Sequence, residues 1–185
     1  MRINKKGFWE NDNAEGHAYD GRLAYAIVKL LRERSIANLV DFGCGTGSYV
    51  RFFSKYRIYT EAFDGNPNTP KLSMGFGQVQ DLSQPFDLKT KYKCVMSLEV
   101  GEHIPAEFEQ TFLDNLVKHL MPGGIVILSW AIPGQSGDGH VNCQSNQYIR
   151  EQMKARGYII DQEATKRLRD ASRLWWFKNS LMVFI

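Results

Sequence analysis

Two rhythms of apolar residues alternate along the chain. In residues 19–34, Leu23, Ala26, Ile27, Leu30 and Leu31 recur every three or four positions among charged residues, the spacing of an amphipathic helix. Residues 38–42 are a short apolar run that reads as a buried strand, and residues 48–56 return to helical spacing through Val50 and Phe53. Further strands are predicted over residues 58–64, 77–81 and 94–99. Pro105 suits the first position of a helix, where its missing N–H is no loss, and Phe108, Phe112, Leu113, Leu116 and Leu120 give that helix an apolar face. Met121-Pro122-Gly123-Gly124 predicts its end. Residues 124–131 are the most apolar strand, 132–142 a loop containing glycine and proline, 145–156 and 161–172 helices separated by an extended 157–160, and 181–185 a closing strand.

Strands alternating with helices imply an α/β fold, a doubly wound, mostly parallel sheet covered on both faces. The 185 residues are 43% hydrophobic and 12% aromatic, enough for one ordinary core, so residues 1–185 are read as a single domain. Residues 1–17 are an N-terminal arm outside that core, either folded over a site or loose. A net charge of +3 is too small to imply a nucleic-acid partner. Cys44, Cys94 and Cys143 form no Cys-x-x-Cys pair and read as free thiols of a reducing compartment. No apolar run suits a signal peptide or a membrane span, which predicts a soluble cytoplasmic protein without a membrane partner.

In a doubly wound sheet the ligand lies beyond the carboxyl ends of the strands. The first strand is followed by Asp41-Phe42-Gly43-Cys44-Gly45-Thr46-Gly47, where glycines admit positive φ and a close ligand. The second ends on Asp64, 23 residues beyond Asp41, a residue suited to both hydroxyls of a ribose. The third leads into Gln80-Asp81-Leu82, where a carboxylate can accept from an exocyclic adenine amine. Taken singly, Asp64 also reads as a turn former before Gly65-Asn66-Pro67, and Asp81 as a helix cap. A nicotinamide-binding turn does not fit, because the glycines stand at 43, 45 and 47 with Ser48 next. Together these landmarks resemble the class I S-adenosylmethionine (SAM)-dependent methyltransferases over nearly the whole chain. The resemblance implies a Rossmann-like sheet with a C-terminal antiparallel strand and SAM as cofactor. It places the methionine part on Asp41, Gly43, Gly45 and Gly47, the ribose on Asp64, and the adenine on Gln80, Asp81 and Leu82.

The fourth strand runs into Glu99-Val100-Gly101-Glu102-His103, two carboxylates and an imidazole where the fold receives its methyl acceptor. Methyl transfer is an in-line displacement that needs alignment and dry surroundings, and a hydroxyl acceptor also needs a base or a metal. His103 is the first candidate base, and His140, after the fifth strand, reaches the same rim. Glu99, Glu102, His103 and His140 together suit a divalent cation such as magnesium or manganese. The run resembles the metal-binding motif of small-RNA terminal 2′-O-methyltransferases, and similar runs occur in enzymes acting on quinones and phenols. In the second setting Glu99 faces the cofactor, while Glu102 and His103 merely start a helix. His119, in a last helical turn, suits the helix dipole; His17 is either a lid or acceptor contact or a surface residue.

For the acceptor, residues 130–142 are polar, glycine-rich and bounded by an aromatic, and Trp130, Gln135, Asp138 and Asn142 are candidates to stack on and bond a sugar. The longer pattern through Ser-Trp-Ala-Ile-Pro-Gly-Gln and Gly-His-Val-Asn is similar to compact glycan-modifying methyltransferases, some of them from large algal viruses. Lys166, Arg167, Arg169, Arg173 and Lys178, with Trp175, Trp176 and Phe177, read either as a nucleic-acid surface or as a solvated helix face over packed aromatics, the second being favoured. The expectation is a sugar O-methyltransferase using His103 or His140 as base. A small-RNA or phenol O-methyltransferase and a non-catalytic SAM-binding domain are the alternatives. An amine acceptor is disfavoured by the lack of an Asn/Asp-Pro-Pro-Tyr tetrapeptide.

Overall fold

The computed structural model describes residues 2–185. Its sheet has six strands, β1 (Asn38–Phe42), β2 (Tyr59–Asp64), β3 (Gln78–Val79), β4 (Tyr92–Leu98), β5 (Leu120–Ser129) and β6 (Met182–Phe184), in the order β3-β2-β1-β4-β5-β6. The first five run parallel and β6 antiparallel to β5, as the Rossmann-like reading requires. Alternate side chains of the central strands feed two apolar layers. Leu39, Cys94, Met96 and Ile127 pack under α1 (Gly21–Glu33) and α6 (Gln162–Ala171). Val40, Val95, Val126 and Leu128 pack under α4 (Glu109–Lys118) and α5 (Asn146–Ala155). The strand order reverses between β1 and β4, so the loops leaving these two strands part and open a crevice.

Helix α1 begins at Gly21 because one carboxylate oxygen of Asp20 accepts from the backbone N–H groups of Arg22 and Leu23. The other oxygen accepts from Ser172 Oγ and the N–H groups of Arg173 and Leu174. One buried carboxylate thereby clasps the first helix to the segment before the last.

Several elements depart from the periodicity reading. Pro105 leads into a 3₁₀ turn, Ala106–Phe108, before α4 begins at Glu109. Strand β5 starts at Leu120, before Pro122-Gly123 rather than after it. Tyr92 pairs with Leu120 but Cys94 with Ile125, so the Pro-Gly segment bulges out of the ladder. Two short helices, α3 (Thr69–Leu72) and α7 (Trp175–Ser180), are too brief to show a periodic face, while α2 (Ser48–Ser54) forms where the spacing predicts it and ends two residues early. The extended 157–160 becomes a vestigial outer strand: Ile159 and Ile185 exchange backbone hydrogen bonds, and Asp161 N–H donates to Val183 O at 2.8 Å.

The N-terminal arm folds into a hairpin, with Asn4 N–H on Phe8 O at 2.8 Å and Glu10 N–H on Arg2 O at 2.9 Å. It lies across the crevice. Among the described residues, no helix is long and apolar enough to cross a membrane.

Candidate functional site

The glycine turn is tied to the end of β2. The N–H groups of Gly43 and Cys44 both donate to Phe63 O, at 2.7 and 3.1 Å. Gly43, Gly45 and Gly47 take φ of +92°, +50° and +68°, which only glycine adopts freely. A Cβ on Gly43 would stand 2.1 Å from Val100, and one on Gly45 would stand 2.5 Å from His17, so both must be bare. Asp64 accepts from Gly45 N–H on one oxygen and Asn66 N–H on the other, each at 2.9 Å, which points its carboxylate along the turn. Asp41 is 3% exposed on the same wall. Burial, then the nearby Asp64, raises its carboxyl to about 8.

Asp81 lies on the wall with Leu82, while Gln80 turns aside and donates to Asp81 O. Ser83 joins the wall in its place, its N–H and Oγ both donating to Asp81 Oδ1 at 3.0 and 2.6 Å. Lys6 Nζ meets Asp81 Oδ2 at 2.6 Å. Burial would raise the Asp81 carboxyl, but the donors from Lys6 and Ser83 outweigh it and hold it below the usual range. The arm continues inward: Trp9 sits 4.9 Å from the His17 ring and 5.4 Å from the His103 ring. Gly7 is pressed on His103 O, where a Cβ would stand at 1.9 Å. Arm, turn and strand ends enclose a cavity of about 460 Å³, within the size range of small-molecule sites.

At the far wall His103 and His140 line the cavity, and with the buried Glu102 they gather ligand atoms within 4.8 Å of one another. His103 Nδ1 lies 3.2 Å from Gly139 O and His140 Nδ1 lies 3.1 Å from Gln135 O. A carbonyl only accepts, so each Nδ1 carries a proton. Burial, then His140, lowers the His103 imidazole to about 4, which keeps it neutral. Glu102 is 0% exposed, and neither of its oxygens has a hydrogen-bond partner among the described residues. Burial, then Glu99, pushes its carboxyl well above the ordinary range. Glu99 lies close enough to act on Glu102 but is not one of the three gathered ligands. Its backbone takes a left-handed φ of +54°, and its oxygens accept from Gln135 Nε2 at 2.6 Å and Ser180 Oγ at 3.2 Å.

The expected acceptor residues divide. Gln135 and Asp138 line the cavity, as does His17, whose imidazole is lowered by burial against the opposing pull of Asp64. Trp130 does not: it is 0% exposed, donates Nε1 to Asn142 O at 2.6 Å, and packs on Phe112. Asn142 is likewise scaffold, its amide donating to Glu109 Oε2 at 2.8 Å. The basic cluster is dispersed, with Arg167 on Glu33, Lys166 on Asp170, and Arg169 on Leu181 O. His119 is satisfied away from the cavity by Asn115 O and Leu88 N–H. Lys6, Trp9, Ser83 and Trp175 line the cavity although no sequence spacing singles them out for it.

A glycine turn, a carboxylate at the next strand end, and a covered cavity at the switch point of a sheet with an antiparallel last strand define the Rossmann-like methyltransferase fold. The whole chain superposes on the sugar N-methyltransferase KedS8 from Streptoalloteichus with a TM-score of 0.71, covering 98% of that chain at 16% identity. Residues 16–163 match the model of the methyltransferase domain family, and the chain belongs to that family. It is 31% identical over 112 residues to the chloroplastic tocopherol O-methyltransferase of Arabidopsis thaliana, over 53% of this chain and 31% of that one. It is 27% identical over 129 residues to the dTDP-3-amino-3,4,6-trideoxy-alpha-D-glucopyranose N,N-dimethyltransferase of Streptomyces venezuelae, over 63% of this chain and 53% of that one. The matches thus span from about a third to about half of the length of these relatives.

Proposed function

We propose that residues 1–185 act as one SAM-dependent methyltransferase domain that transfers a methyl group to a hydroxyl oxygen of a sugar-type acceptor. The observation that carries this reading is that His103 and His140, with Glu102 buried beside them, line the same cavity as the glycine turn. SAM suits the turn because a buried Asp41 carboxyl, raised to about 8, has no positive partner among the described residues, and SAM brings a sulfonium and an ammonium. The cofactor supplies the methyl group. Asp64 keeps lone pairs for ribose hydroxyls beside the two N–H groups it already holds, and Asp81, Leu82 and Ser83 line the place of the adenine.

The chain's own residues then do three things. The arm, with Trp9 over His103, keeps water from the reacting atoms. His103 presents a neutral Nε2 to the acceptor proton with His140 beside it, and the two rings are fixed by Gly139 O and Gln135 O. Glu102, His103 and His140 fit a divalent cation such as magnesium or manganese, since two imidazoles and an unpartnered carboxyl are such a donor set, each imidazole braced by a backbone carbonyl. A cation there would acidify a hydroxyl. His103→Ala or His140→Ala is expected to abolish turnover while SAM binding persists; full activity in both variants would overturn the base assignment. Loss of activity in EDTA, restored by magnesium or manganese, separates the metal-assisted form from the metal-free one.

A second reading, an amino-sugar nitrogen as acceptor, is favoured by the acceptor-rich wall of Glu99, Gln135 and the two imidazoles. The N-methylating relatives reopen it, although the chain lacks the tetrapeptide expected of amine sites. Paired amino and hydroxy sugars, assayed for labelled methyl uptake, decide between them.

A further inference from the structure

We infer that Trp175 and Gln135 form the acceptor subsite, and that it receives the face of a sugar ring. The inference rests on the methyltransferase reading above and names the surface that reading leaves open. Trp175 opens α7, is 50% exposed, and lines the cavity. Its ring stands edge-on to Trp176 at 6.0 Å, and Trp176 packs on the core, so the exposed indole is braced. At the other end of α7, Ser180 Oγ holds Glu99 Oε1, which anchors the helix to the end of β4.

Glu99 also links this wall to the opposite loop, because its second oxygen accepts from Gln135 Nε2 at 2.6 Å. Gln135 is 7% exposed and lines the cavity, and its Oε1 is buried without a partner among the described residues. An orphaned buried carbonyl costs stability unless a ligand donates to it. A braced, flat apolar face and a fixed hydrogen-bond acceptor on one cavity, linked through Glu99, match a sugar, whose C–H face covers an indole while its hydroxyls donate at the rim. A phenol would stack as well but brings few donors. A nucleic-acid strand is disfavoured, because this part of the wall presents Glu99 and Asp138 rather than cations.

The test uses the full chain saturated with S-adenosylhomocysteine, titrated with a panel of methyl glycosides, with catechol and a single-stranded oligoribonucleotide as competing probes, read by saturation-transfer NMR. A glycoside is expected to bind; Trp175→Ala weakens it about fivefold or more, while Trp175→Phe, which keeps a flat face, stays within about twofold. Gln135→Leu weakens it comparably. Calorimetry on the same variants should show unchanged S-adenosylhomocysteine affinity, which establishes that the cofactor side is folded. Glycoside binding indifferent to both Trp175→Ala and Gln135→Leu overturns the subsite but leaves the methyltransferase reading standing. Absence of glycoside binding, or Trp175-dependent binding of only catechol or the oligoribonucleotide, overturns the sugar class. Failure of the native chain to bind S-adenosylhomocysteine overturns the reading on which both rest.

Discussion

The ammonium of Lys6 lies 2.6 Å from Asp81 Oδ2, joining the arm to a residue 75 positions further along the chain. Both partners are partly exposed, so the pair is a modest latch, on the order of 0.5–1 kcal/mol. Lys6→Met is therefore expected to speed SAM dissociation about two- to fivefold, measured by stopped-flow displacement. An unchanged rate would show that the arm closes without this contact.

Asp41 supplies a prediction about pH. Its folded carboxyl titrates at about 8, far above the ordinary 3.8, with burial the main cause. A raised acid costs the fold nothing below the unfolded value, where both states are protonated. Between 3.8 and about 8 only the unfolded state ionises, so stability falls as pH rises through that window. Asp41→Asn removes the effect. Its melting temperature should equal the native chain's near pH 4 and exceed it by about 5–10 °C at pH 8, while SAM affinity drops. Parallel melting curves for the two proteins at both pH values would refute the assignment.

Asp20 makes the opposite prediction. Burial opposes its charge, but hydrogen bonds from Ser172, Leu23, Arg173 and Leu174 outweigh it and hold the carboxyl below 3.8. That stabilisation is present above pH 3.8 and is lost as pH falls through the lower folded value. Asp20→Ala should cost roughly 2–3 kcal/mol at pH 7, seen in urea unfolding, and progressively less in acid. An equal cost at all pH values would mean that the clasp does not depend on charge.

Trp130 and Trp175 are predicted to separate stability from recognition. Trp130→Phe leaves Asn142 O without its indole donor, and should lower stability by about 1–2 kcal/mol without altering acceptor preference. A change in preference at full stability would return Trp130 to the acceptor surface.

The glycine turn and Asp64 are legible in the sequence because their geometry is local: three glycines at spacing two and a carboxylate at the next strand end need no distant partner to be recognised. Lys6 is not, because its meaning lies in Asp81, and nothing near it in the chain marks that partner. Trp130 and Trp175 show the same limit from two sides. An aromatic at a strand end and one in an aromatic trio carry no mark of which faces solvent, and the tertiary packing decides it. Adjacency groups Glu99 with Glu102 as ligands, yet the left-handed backbone at Glu99 lets its oxygens accept from Gln135 and Ser180, and Glu99 acts on Glu102 as a neighbouring charge. Helix α7, at 6 residues, is shorter than two turns and leaves no period to read.

The raised carboxyl of Asp41 also makes the cavity a store of one proton at neutral pH. A positively charged ligand seated beside it favours the ionised form, so the proton departs to the solvent as the ligand arrives. Binding of SAM is then an exchange of one cation for another, and its measured heat should vary with the ionisation heat of the buffer that takes the proton up.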